Sequence, residues 1–330
     1  MIRVGIIRGG TSPEYEVSLQ TGAHIMRNLP DAYKPVDILV DRAGAWHLNG
    51  LAVTPDKLSS SVDMIWNALH GGGGENGSDL SIVRNLSIAH TGPTPFGGAL
   101  SLNKKFAKEH FRMLGLKTPE SIAIVPLDET DFEGTFEEYV ALSVQKVFRT
   151  VPPTWVVKPT SSGSSLGVSI VETLPSLAEA LATALADGTE ILVEHFVDGR
   201  EVTVGVIPGF RGQETYVLPP LEILKNKNFL DYESRMTGDY DMRPAFSHHK
   251  QSESKKLEDY ARQIHRSLGL GSYASVDFIV TPRGVYVLEV DAQPALHEHS
   301  PFHKSLVHVG ATMKEFAQHV INTTLKQQPF

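Results

Sequence analysis

Two apolar, β-branched runs in the first seventy residues break directly into glycine. Ile2 to Ile7 leads into Gly9-Gly10-Thr11-Ser12, and Met64 to Leu69 leads into His70 and four consecutive glycines. After the first turn comes VSLQTGAHIMRNL, Val17 to Leu29, with apolar residues at helical spacing. Strand, glycine turn and amphipathic helix form the opening unit of an open parallel α/β sheet. Loops at the carboxyl ends of neighbouring strands in such a sheet converge on one crevice. The two glycine loops carry Glu14, Ser18, His70 and Glu75, enough for one polar pocket. The alternative is a floppy hairpin, since each glycine costs roughly 0.5–1 kcal/mol to order relative to alanine.

The 330 residues predict about two domains, or three small ones. A further strand at Lys34 to Val40 completes an α/β unit over residues 1–93. Pro93 to Gly98 reads as a linker, followed by a helix from Ser101 to Leu114 closed by Gly115. Strands at Ser121 to Val125, Trp155 to Val157 and Ile191 to Glu194, with a helix near Ser176 to Ala186, suggest an α+β unit over 94–197. A third unit, 198–330, is read from strands at Glu201 to Ile207, Tyr216 to Leu218, Ala274 to Val280 and Gly284 to Val290, with a helix from Ser254 to Leu268.

Composition removes several classes of function. With 41% hydrophobic and 21% charged residues the chain is an ordinary globular protein. Its net charge of −8 argues against a generic nucleic-acid binder, with local basic sites left open, and the absence of cysteine excludes disulfides, thiolate zinc sites and a cysteine nucleophile. No segment approaches the ~20 apolar residues of a membrane span, and MIRVGIIRGG lacks a signal peptide's apolar region. The expectation is a cytoplasmic protein with neither a nucleic-acid nor a membrane partner.

Two further stretches can carry chemistry. Lys158-Pro-Thr-Ser-Ser-Gly-Ser-Ser-Leu-Gly167 follows the apolar run TWVV. Small residues let backbone N–H groups converge on an anion and the lysine adds charge, although a plain flexible turn has the same composition. Glu289 and Asp291 are two apart on a predicted strand and share a face, with Asp277 opposite them across a hairpin. Such an oxygen-only set suits Mg²⁺, or is an acidic surface that keeps a sheet edge soluble.

Taken together these segments resemble the ATP-grasp carboxylate–amine ligases and, within them, the D-alanine–D-alanine ligase family. The resemblance runs in order through GGTSPEYEVS (9–18), LHGGGGENG (69–77), SLNKKFAK (101–108), VVKPTSSGSSLG (156–167), VEHFVDGREVTV (193–204), FLDYES (229–234) and the pair VDF (276–278) and VLEVD (287–291). It implies an ATP-grasp fold: an N-terminal open parallel-sheet domain plus two α+β domains that clasp ATP. By motif position, Lys104 and Lys158 would contact ATP phosphates, under a loop containing Ser164 and Ser165. Glu194 and the Phe196–Val197 backbone would hold adenine, and Glu201 the ribose. Asp277, Glu289 and Asp291 would hold two Mg²⁺ ions, with Mn²⁺ able to substitute. Glu14 would meet the first substrate's ammonium group beside Ser18 and His70, and Ser300 would lie near the second substrate's carboxylate. A homodimer is also implied.

The chain departs from the family pattern around the second substrate. Ser275 stands where an arginine stabilises the acyl oxygen, and Ala295 where a glycine N–H assists it. Arg235-Met236 replaces Lys-Tyr, and Asp291 replaces asparagine. Serine reproduces neither the reach nor the charge of a guanidinium. Arg235, His297 and His299 are the candidates to compensate. A zinc site at His297-Glu298-His299 is a lesser alternative, without the HExxH spacing. Three functions follow: ligation of two D-alanines for peptidoglycan precursors, ligation with another amino acid or a D-hydroxy acid as second substrate, or nucleotide binding without ligation.

Overall fold

The computed structural model describes residues 1–72, 74, 80–128, 132–163, 165–225, 232–246 and 251–326, which form three sheets. The first has the order β4-β3-β2-β1-β5-β6. β1 (Ile2–Gly9) runs parallel to β2 (Tyr33–Val40) and β5 (Met64–Asn67), and β5 runs parallel to β6 (Ala89–His90). The helix Tyr15–Arg27 lies against β1, as the sequence predicts. Gly9 is required at the turn: its φ is +90°, and a Cβ there would meet the Val40 carbonyl oxygen at 2.2 Å. An antiparallel extension, β3 (Trp46–Leu48) and β4 (Leu51–Val53), adds an edge whose short strands carry little periodicity.

The second sheet, β7 (Ser121–Ile124), β10 (Ile191–His195), β8 (Trp155–Pro159) and β9 (Ser169–Val171), is antiparallel throughout. Two helices cover it, Phe136–Thr150 and Leu174–Ala186, burying Val147, Trp155, Leu177 and Leu181. The first of them begins at a capping box between Thr135 and Glu138.

The third sheet has the order β14 (Tyr240–Pro244), β13 (Leu221–Lys225), β11 (Arg200–Pro208), β15 (Ala274–Thr281) and β16 (Gly284–Asp291), with β12 (Thr215–Val217) also on β11. The helix Gln251–Leu268 packs on it. The linker expected at Pro93 to Gly98 is instead the start of a helix, Pro95–Leu102, capped by Thr94. Asn103 then ends that helix and caps the next, Lys104–Met113, so two helices replace the single one expected from Ser101 to Leu114. Both pack against the third sheet, where Ala107 and Phe111 join Val202, Val276 and Phe278 in one core.

The end of the chain braces its beginning. The helices Pro301–His308 and Met313–Lys326 bring Phe302, Phe316 and Val320 into one core with Val4, Ile6 and Trp66 of the first sheet. Trp66 Nε1 donates to Tyr273 Oη at 3.1 Å, and Tyr33 Oη donates to Asn322 Oδ1 at 2.9 Å. No helix among the described residues is long and apolar enough to cross a membrane.

Candidate active site

The two glycine loops of the first sheet do converge. Ser12 Oγ donates to the His70 carbonyl at 2.5 Å and accepts from the Glu14 N–H at 3.2 Å, which ties one loop to the other. Glu14 is 4% exposed. A Cβ at Gly163, in the loop after β8, would lie 2.9 Å from its Oε1, so that loop closes directly on Glu14. Ser18 does not line the cavity that holds Glu14 and His70, because its hydroxyl accepts from the Gly9 N–H at 2.7 Å and donates to the Ala68 carbonyl at 2.6 Å. It is a structural pin between β1 and β5. Glu75 and Ser164 lie outside the described residues.

Between the second and third sheets opens a cleft of about 880 Å³. Val156, Ile170, Phe196, Val197, Ile279 and Leu288 give it an apolar wall suited to a flat ring. Lys104, Lys158, Ser165, Glu194, Glu201 and Arg235 line it as well. The Phe196 N–H donates to Thr154 O at 2.8 Å, which removes it from the groups free for a ligand. Lys158 is ion-paired with Glu194 Oε1, and Lys104 Nζ is 3.5 Å from Glu289. Burial opposes the charge of Glu194, but Lys108 and Lys158 overcome it and hold the carboxyl down at about 2. Burial likewise opposes the charge of Glu289, and Lys104, Lys158 and Arg235 hold it below the usual range.

A second cavity, of about 930 Å³, is walled by Glu14, His70, Met236, Ser275, Asp291, Ala295, His297 and Ser300. It shares Lys104, Ser162, Gly163, Arg235, Asp277 and Glu289 with the first cleft, so the two meet at a boundary of cations and carboxylates. Ser300 Oγ accepts from the His303 N–H at 3.3 Å, placing the start of the helix Pro301–His308 at this wall. His70 is neutral: burial, then His297, push it down to about 3.

Asp277 faces Glu289 across the β15–β16 ladder, and a bulge after Asp277 resets the register beyond the pair. Burial and the charge of Glu289 push Asp277 up to about 7. Burial, with Glu14 and Glu289, does the same to Asp291. Such excess buried negative charge fits a divalent cation. No three His, Cys, Asp or Glu among the described residues are placed to hold a metal by themselves.

The chain is similar to known proteins over most of its length. The family model described as D-ala D-ala ligase C-terminus matches residues 121–322. The D-alanine–D-alanine ligase of Aquifex aeolicus is 32% identical, over 90% of this chain and 92% of its own. The chain belongs to the D-alanine–D-alanine ligase family. It is an ATP-dependent ligase of the ATP-grasp fold. Two solved structures agree on that fold. The Bacillus anthracis D-alanine–D-alanine ligase complexed with ATP has a TM-score of 0.77 at 23% identity, over 99% of this chain and 98% of its own. The VanG D-Ala:D-Ser ligase of Enterococcus faecalis has 0.78 at 23%, over 98% and 99%.

Within this ligase the departures around Ser275 can now be weighed. Ser275 pairs with Asp291 in the ladder and leaves its part of the wall without a cation. His297 is buried, and burial with the neighbouring His299, His24 and His303 pushes it down to about 4, so it is neutral near pH 7. His299 is not on this wall. Arg235 is: its Nε donates to Ser165 Oγ at 3.3 Å and its Nη2 is 3.9 Å from Glu201. Burial opposes its charge, yet Glu201, Asp277 and Glu289 keep it firmly protonated. Arg235 therefore brings a permanent cation to the boundary of the two cavities.

Two residues that support the ligase site have no role assigned to them from the sequence. Gln293 accepts from Asn67 Nδ2 at 2.8 Å and donates to the carbonyls of Asn67 and Leu69 at 2.9 and 2.8 Å, locking the end of β16 to the first sheet. Lys108 is a fully buried ammonium 2.7 Å from Glu194. In the sequence it closes the segment SLNKKFAK (101–108), on the helix that carries Ala107 and Phe111.

Proposed function

We propose that the chain joins two D-alanines at the expense of ATP, through a D-alanyl phosphate, in the synthesis of peptidoglycan precursors. The shared wall of Lys104, Arg235, Asp277 and Glu289 carries this reading, because a phosphoryl group passing from one cavity to the other must cross it. A carboxylate is a poor electrophile until oxygen is made a leaving group. In the first step a carboxylate oxygen of the first D-alanine attacks the γ-phosphorus of ATP, an acyl phosphate forms and ADP leaves. Lys104 and Lys158 neutralise charge on the transferring group, which is mainly positioning and electrostatics. Glu14 holds the first substrate's ammonium. In the second step the free amine of the second D-alanine attacks the acyl carbon, Arg235 takes the oxyanion role that Ser275 cannot fill, and inorganic phosphate leaves as the amide nitrogen gives up its proton. Closure of the Ser162–Gly163 loop on Glu14 keeps water from the acyl phosphate. Asp277, Glu289 and Asp291 would hold Mg²⁺, or Mn²⁺ in its place, which supplies further charge neutralisation when bound.

A second reading, with D-serine or a D-hydroxy acid as nucleophile, is favoured by one observation. The Nδ1 of His297, a neutral imidazole on the second cavity's wall, is buried without a hydrogen-bond partner. Phosphate release from ATP and Mg²⁺ with D-alanine alone and with each competitor, the products read by mass spectrometry, decides between them. Mainly D-Ala-D-Ala is expected. ATP binding without phosphate release for any amino or hydroxy acid would sink both readings. The same reading implies units over 1–93, 94–197 and 198–330, a homodimer and a cytoplasmic location; sedimentation at two concentrations tests the dimer.

A further inference from the structure

Lys108 is the most deeply buried cation of the site, 1% exposed, and the reaction as derived leaves it without a task. It lies one helical turn beyond Lys104, but it does not line the nucleotide cleft; it stands behind Glu194. Its Nζ is 2.7 Å from Glu194 Oε2, a buried ion pair. It donates to Thr118 Oγ1 at 2.8 Å and approaches the Pro119 carbonyl at 3.5 Å. Three acceptors around one nitrogen suit an ammonium, whereas a methionine of similar length would fill the same space without needing any of them. Burying such a charge is costly, so the fold gains little stability by keeping it.

Glu194 thus has a cation at each oxygen: Lys108 on Oε2 and Lys158 on Oε1. Of the two, Lys158 alone lines the cleft. A nucleotide phosphate arriving there competes with Glu194 for Lys158. If Lys158 were the carboxylate's sole partner, giving it up would strand a buried charge, the situation that makes breaking a buried pair so unfavourable.

We propose that Lys108 is a positioning residue for the nucleotide: it keeps Glu194 paired from behind, so that Lys158 can turn its ammonium from Glu194 to a phosphate. This rests on the reading of the cleft as the ATP site. Calorimetric binding of ATP and of adenosine, without turnover, tests it. Lys108→Met is expected to weaken ATP roughly tenfold or more while adenosine changes less than about threefold, and to raise KM for ATP with kcat within about threefold. In a Glu194→Gln background, where no carboxylate remains to be stranded, adding Lys108→Met should cost less than about threefold for ATP.

Parallel loss for ATP and adenosine, or the same ATP loss in both backgrounds, would overturn the proposal. If Lys108→Met alone does not fold, Glu194→Gln is compared with the double variant. Equal ATP affinity then supports the proposal, and a tenfold difference overturns it. Wild-type protein that binds no ATP would overturn the nucleotide reading along with it. Wild type that binds ATP, with Lys108→Met unchanged, overturns this proposal alone.

Discussion

The nucleotide cleft and the second cavity share a wall yet treat charge in opposite ways. In the cleft, charges face partners: Lys158 on Glu194, with Lys108 behind it, Lys104 on Glu289, Arg235 on Glu201. Beyond the shared boundary of Lys104, Arg235, Asp277 and Glu289, the second cavity holds three polar groups near or in their neutral forms, His70 and His297 pushed down to about 3 and 4 and Asp291 up to about 7. The cleft is organised in advance for a polyanion, whereas the cavity sets Glu14 and the charged boundary against a wall of small and neutral groups, Ser275, Ala295, His297 and Ser300. A site of paired charges tolerates few exchanges, because removing one partner strands the other. A wall of neutral groups can change residue by residue, and Ser275, Ala295 and Met236 lie on that wall.

The largest effect should come from breaking the paired side. Lys158→Ala removes a phosphate contact and one of the two partners of Glu194, and turnover is expected to fall by about 10³ or more in phosphate-release assays. Activity retained within tenfold would show that Lys158 serves the fold and not the phosphate. Next comes the boundary. Arg235→Met should lower kcat by about 10²–10³, the loss associated with one oxyanion donor, while ATP still binds. If kcat for ATP hydrolysis without D-alanine fell equally, Arg235 would act on phosphoryl transfer rather than on the acyl oxygen, and the comparison between the two cavities would shift towards the nucleotide side.

The same contrast explains how far the sequence could be read. Groups whose chemistry fixes their spacing were visible: Lys158 at the end of an apolar run, Glu289 and Asp291 two apart on a strand, Gly9 at a turn that admits no Cβ. Elements held by tertiary contacts were not. The helix Phe136–Thr150 and the two C-terminal helices owe their places to cores formed with distant strands, as Phe316 does beside Trp66. Asn103 splits one apparent helix into two because its side chain caps better than it continues. Ser18 lies beside Glu14 in sequence yet is consumed as a pin. Gln293 and Lys108 act through partners more than eighty residues away, which no local pattern records.

The smallest effect, and the sharpest test of the boundary, is Ser275→Arg. If Arg235 already supplies the cation, a second guanidinium adds like charge beside it. With the carboxylates Asp277, Glu289 and Asp291 near by to offset that repulsion, kcat should drop by no more than about threefold. In an Arg235→Met background the same change supplies the missing charge from the other side of the cavity and should recover roughly tenfold of the loss, read as kcat/KM for the second D-alanine. The sign in the two backgrounds is what matters. A rise in the wild-type background would mean that Ser275 is a plain loss which Arg235 does not fill, and the neutral wall would then be a weakened oxyanion site instead of a rebuilt one.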